Sequence, residues 1–124
     1  MAGGDAVYQQ IVKLLEERVT DPELVARLQR ADTVVCYRLD DIGQTLTLDV
    51  RAEHEPQVVV GEADVEPQVT LTMSADTALR FLLGHLNVTV ALARGEIHVH
   101  GRVHKLLRLV TLVRPVLASR ALPV

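Results

Sequence analysis

Apolar and polar residues recur along this chain with two periods, and the periods change at residues suited to caps and turns. Val7, Tyr8, Ile11, Leu14 and Leu15 form one face of a helix running to about residue 19, with Asp5 placed to cap it. Thr20-Asp21-Pro22-Glu23 restarts the chain. Either Asp21 caps with Pro22 at the first helical position, or Thr20 and Glu23 form a capping box. The second helix, to about residue 29, carries Leu24, Val25 and Leu28. Period two then takes over. Residues 33–39 are rich in β-branched side chains, and Asp40-Asp41-Ile42-Gly43 is turn chemistry. In residues 45–52, Leu46, Leu48, Val50 and Ala52 alternate with Thr45, Thr47, Asp49 and Arg51. That spacing predicts an antiparallel strand with Leu46, Leu48 and Val50 buried and Thr47 and Asp49 toward water. Residues 57–61 form a third strand after Pro56, and residues 62–67 a loop.

The second half repeats the alternation of periods. Val69, Leu71 and Met73 alternate with Thr70 and Thr72, and Ser74 is placed to cap a helix with Asp76 in its first turn. Gly84 suits a left-handed helix end, with His85 beside it as a partner for the helix C-terminus. Asn87 can cap a short helix closing at Gly95. Ile97 and Val99 alternate with Glu96, His98 and His100 up to Gly101, and a helix follows over residues 102–113, with Val116 and Leu117 beyond Pro115. The pattern is α+β: about five strands in a mostly antiparallel sheet, with helices covering one face.

Composition narrows the functional classes. With 124 residues the chain reads as one domain, residues 1–124. Apolar residues make up 48% and aromatics only 2%, so the interior is aliphatic and has little to stack on a flat ring. A net charge of −3 and three aromatic side chains, Tyr8, Tyr37 and Phe81, speak against nucleic-acid binding. One cysteine, Cys36, excludes an internal disulfide and suits a reducing, cytoplasmic setting. No signal peptide or membrane-length apolar run is read. Arginine outnumbers lysine 11 to 2, a bias expected of a GC-rich bacterial genome.

The order of elements in residues 68–113 resembles the sterol carrier protein type-2 family. The resemblance is carried by Val69-Thr70-Leu71-Thr72-Met73-Ser74, Gly84-His85-Leu86-Asn87, Ala91, Gly95, Ile97-His98-Val99-His100-Gly101 and Leu106-Leu107. Val88 stands where the family often has proline, Leu92 where it often has an aromatic or methionine, and His98 and His100 where basic residues are common. The resemblance implies an apolar cavity between sheet and helices. It would hold a fatty acyl chain, sterol or polyketide-like ligand, with no cofactor. Expected walls are Leu48, Leu71 and Met73 from strands, and Leu79, Phe81, Leu82 and Leu86 around the central helix. The last helix would add Val103, Leu106, Leu107 and Val110. Its apolar residues cover more than the roughly 100° arc that packing on one side requires.

Other chemistry is thinner. His98 and His100 share a strand face and His104 follows, a spacing that can hold zinc, but Ile97 and Val99 must face the core, so the histidines are read as solvated and no metal is expected. After Glu96 there are no acids, and Arg102, Lys105, Arg108, Arg114 and Arg120 form a basic segment able to touch an anionic membrane surface. Acids instead cluster at Glu53, Glu55, Glu62, Asp64 and Glu66. Cys36 has apolar or β-branched neighbours and reads as an inert buried thiol. No Gly-x-Ser-x-Gly, phosphate-binding glycine loop or CxxC occurs, so no catalytic set is assembled. A small-molecule enzyme of cyclase or isomerase type using the same cavity, and a homo-oligomerisation domain, are the alternatives.

Overall fold

A computed structural model describes residues 2–61 and 64–119, excepting the side chains of residues 2–5 and 113–119. The elements are α1 (Ala2–Arg18), α2 (Pro22–Ala31), β1 (Val34–Leu39), β2 (Gln44–Asp49), β3 (Gln57–Val60), β4 (Val69–Met73), α3 (Ala75–Leu82), α4 (Val88–Ala93), β5 (Ile97–Gly101) and α5 (Val103–Ser119). The sheet order is β3-β2-β1-β4-β5. Three neighbouring pairs are antiparallel, and β1 and β4 run parallel, joined by the excursion through β2 and β3. This is an α+β fold with a mixed sheet.

Local chemistry explains most boundaries. Asp21 Oδ1 accepts from the Glu23 and Leu24 amides, so Asp21, followed by Pro22, is the α2 cap. Thr20 instead donates to the Glu17 carbonyl and closes α1. Ser74 Oγ accepts from the Thr77 amide, and Asn87 Oδ1 from the Val90 amide, each satisfying a helix-end donor that lacks an intrahelical partner. Gly84 leaves α3 with φ +78°, a backbone state that glycine enters at little cost. Helix α1 starts at Ala2, ahead of Asp5, so the expectation that Asp5 caps it is corrected.

The core lies between one sheet face and the helices. Val35, Tyr37 and Leu39 of β1, Leu46 and Leu48 of β2, and Leu71 and Met73 of β4 meet Ile11, Leu24, Leu28, Phe81, Leu106 and Leu109. Three polar contacts bind the α2–α5 side. Arg27 donates to the Leu112 carbonyl, Arg108 to Arg30 and Lys105 to Asp32. The last two place cations on the C-terminal end of α2, where the helix dipole favours them.

One expectation about the far face fails. Leu46, Leu48 and Val50 are buried as the alternation predicts, but Thr47 and Asp49 are buried too, at 2% and 3% exposure. The alternation itself is intact, because Thr47 and Asp49 lie opposite Val59 and Gln57 on the side away from the helices. Residues that follow β2 in the chain cover them. Thr47 Oγ1 donates to the Gly61 carbonyl at 3.1 Å. Asp49 accepts from Arg51 Nε at 3.0 Å and Nη2 at 2.8 Å, and His54 Nε2 lies 3.3 Å from the same carboxylate. Strand β2 also ends at Asp49 rather than at residue 52, because the chain turns there to bring Arg51 and His54 back over it. The Arg51 hydrogen bonds hold the Asp49 carboxyl below the usual carboxylate range against the opposing effect of burial.

Candidate ligand site between helices and sheet

Where α1, α2, α3 and α5 meet the sheet, packing is incomplete. A void of about 30 Å³ is lined by Leu15, Arg18 and Val19 of α1 and its end, Leu24 and Leu28 of α2, Tyr37 and Leu48 of the sheet, Phe81 and Leu82 of α3, and Leu109 of α5. Tyr37 and Phe81 meet edge to face, with ring centroids 6.3 Å apart. Burial keeps the Tyr37 phenol protonated well past its ordinary range. Among the described lining residues Arg18 alone carries a charge. Its guanidinium donates twice to the Leu82 carbonyl, at 3.3 and 3.2 Å, and meets no carboxylate among the described residues. The arginine therefore caps the end of α3 while keeping its charge unneutralised at the edge of an aliphatic surface.

The residues expected as cavity walls divide into three groups. Leu48, Phe81 and Leu82 line the void. Leu71, Met73 and Leu106 are fully enclosed in the adjoining core, and Leu79, Leu86 and Val110 pack against it partly buried. Val103 and Leu107 do not face inward: they are 45% and 48% exposed. Leu106 and Leu109, three apart, set the inward stripe of α5, and Val103 and Leu107, four apart, share its outer side. Sequence reasoning did not name Leu15, Arg18, Val19, Leu24, Leu28, Tyr37 or Leu109 as lining residues. A signal for Arg18 was present, since it follows Leu15 by three and Ile11 by seven and so falls on the buried stripe of α1.

The other candidate groups do not converge. His98 and His100 are exposed on the face of β5 opposite Ile97, His104 is exposed at the start of α5, and among the described residues no three metal-ligating side chains come together. His85 is exposed just past α3. Cys36 is buried and outside any disulfide. Lys105 and Arg108 of the basic segment are engaged with α2; the Arg114 side chain, Arg120 and Glu62 lie outside the described residues. No helix among the described residues is long and apolar enough to cross a membrane.

The fold is an α+β layer with helices on one face of a mixed sheet, and mainly aliphatic side chains converge beneath those helices. Residues 12–114 match the SCP-2 sterol transfer family, and the chain belongs to that family. No curated protein matches it. Among solved structures, the sterol carrier protein domain 2 of Helicoverpa armigera superimposes with a TM-score of 0.72 at 20% identity, covering 95% of this chain and 92% of that one. UbiJ-SCP2, a ubiquinone synthesis protein, gives 0.68 at 21% identity, covering 91% and 96%. The inverting sec-alkylsulfatase Pisa1 from Pseudomonas sp. gives 0.61 at 19% identity over 71% of this chain. This chain spans only 14% of the alkylsulfatase's length. At these identities the likeness is one of fold.

Proposed function

We propose that this chain is a single lipid-binding domain that sequesters or carries an apolar small molecule between its helices and sheet, and that a fatty acyl chain with an acidic end suits it better than a neutral sterol. Family membership supports lipid binding in general. The finer reading is carried by Arg18, an unneutralised cation at the edge of an otherwise uncharged, mainly aliphatic lining. A carboxylate placed there gains charge-assisted hydrogen bonds while its chain replaces solvent-exposed apolar surface with buried contact.

The void of about 30 Å³ is far smaller than the roughly 300–1,000 Å³ of small-molecule sites. Occupancy therefore requires the walls to separate, and the α2–α5 pair, held together by side-chain bonds to main-chain carbonyls, is the unit that would lift from the sheet. Sheet strands are tied by continuous ladders and yield less readily.

Native mass spectrometry of the purified protein, followed by competition of a fluorescent fatty acid with dodecanoic acid and dodecanol, tests this reading. A co-purified acyl lipid, and an acid-over-alcohol preference that disappears in Arg18→Met, are the expected results. Absence of saturable binding by either probe would reject the carrier reading. Equal binding of acid and alcohol by the unaltered protein would remove the role given to Arg18.

A further inference from the structure

The sheet has a second face, separated from the apolar interior by the sheet itself. Strand register lays two rows of side chains across it. Thr47, Cys36, Thr70 and His100 stand in one row, and Arg38, Thr72 and His98 in the next. Neighbouring strands lie about 4.8 Å apart, so each row presents groups at the spacing of a small molecule's polar atoms. Gly61, just after β3, reaches the first row, where its carbonyl accepts from Thr47. Between Asp64, Val65, Glu66 and Pro67 on one side and β5 on the other lies a groove of about 520 Å³, within the range of small-molecule sites.

The polar groups around this groove are not spent on one another. Arg38, Thr70, Thr72, His98 and His100 make no side-chain hydrogen bond or ion pair with any described residue, and neither do Asp64 and Glu66. A guanidinium and two carboxylates thus line one concavity without neutralising each other. The donors stand on the strands and the acids on the loop rim. A simple anion would meet Asp64 and Glu66, and a simple cation would meet Arg38. A molecule carrying both charges satisfies both sides. Arg38, Thr72 and His98 in one row offer donors to more oxygens than a carboxylate presents, which favours phosphate as the anionic end. Among the described residues no Phe, Tyr or Trp lines the groove, so it lacks a large apolar platform for a base.

We infer that this groove binds a small zwitterion in which an ammonium group is joined to a phosphate, the phosphate on Arg38, Thr72 and His98 and the ammonium on Asp64 and Glu66. The site is independent of the lipid reading, because it lies on the opposite face of the sheet.

The test is an amide NMR titration of the full chain with phosphoethanolamine, inorganic phosphate and ethanolamine. Saturable shifts at Thr70, Thr72, His98 and His100 are expected, with phosphoethanolamine binding about tenfold or more tighter than either half, as two charged contacts predict over one. Arg38→Gln and Glu66→Gln should each weaken that binding and leave fluorescent fatty acid binding unchanged. Phosphate alone binding as tightly as phosphoethanolamine would reduce the groove to a general anion site and overturn the inference. So would shifts insensitive to both substitutions, or none at all. Phosphatidylethanolamine vesicles separate a lipid headgroup from a free phospho-amine. Vesicle binding displaced by phosphoethanolamine places the headgroup in the groove, whereas displacement-resistant binding with no shift at those four residues counts against the site.

Discussion

Leu109→Ala tests the packing around the apolar void most directly. Leu109 is 2% exposed and reaches the void from α5. The substitution removes three carbons, and at about 0.8 kcal/mol per buried carbon the lost transfer term is about 2.4 kcal/mol. Space left unfilled costs about 24 cal/mol per Å³. If only as much new space persists as the present void of about 30 Å³, the cavity term adds about 0.7 kcal/mol. The expected loss is therefore about 3 kcal/mol, or about 2 M in the urea midpoint for an m-value of about 1.5 kcal/mol per M. Unfolding of delipidated protein is followed by circular dichroism with and without dodecanoic acid. If the void is the seed of a ligand chamber, free ligand at about 100 times its dissociation constant should restore about 2.7 kcal/mol. A loss below about 1 kcal/mol would refute the packing argument. The full loss with no ligand-dependent recovery would refute the chamber while leaving the packing intact.

Three further outcomes follow from particular contacts. Leu107→Trp should change stability by no more than about 0.5 kcal/mol, because Leu107 is half exposed, whereas Leu109→Trp should overpack the interior and cost about 1–3 kcal/mol; urea midpoints of the pair decide it. Asp49→Asn should lower stability at neutral pH and flatten the acid limb of the stability profile measured by urea titration. The folded-state pKa of Asp49 is depressed, so its contribution is present above the unfolded value of about 3.9 and is lost as pH falls through the folded value; a parallel profile for the variant would contradict this. Gly101→Ala should cost more than about 1 kcal/mol in thermal unfolding, since φ there is +99° and a Cβ would run into the Gln68 carbonyl; an unchanged Tm would contradict the strain.

Much of the fold was legible in the chain because its signals are local. Alternation in residues 69–73 and 97–100 marked strands β4 and β5, and the cap chemistry of Asp21, Ser74 and Asn87 marked helix starts whose orphan amides they satisfy. The order of those pieces carried the family resemblance. The candidate site was less legible. Strand period told which residues share a face but not what lies above it, so Asp49 looked solvated although Arg51 and His54 fold back over it. Helix α5 offers apolar side chains on several sides, and only contact with its neighbours decides that Leu109 turns in and Leu107 out.

The sequence by itself determined the periods, the caps, the aliphatic character of the interior and the absence of a stacking surface, since each depends on residue type and spacing alone. Tertiary structure decided the rest. It joined β1 to β4 in parallel, brought Arg18 of α1 to the end of α3, left only a small space beneath the helices, and set residues 64–67 beside the far face of the sheet to form the groove. Each of these joins residues apart in the chain, Arg18 and Leu82 being 64 positions apart. Such meetings are fixed by the packing of whole layers, and no local pattern encodes them.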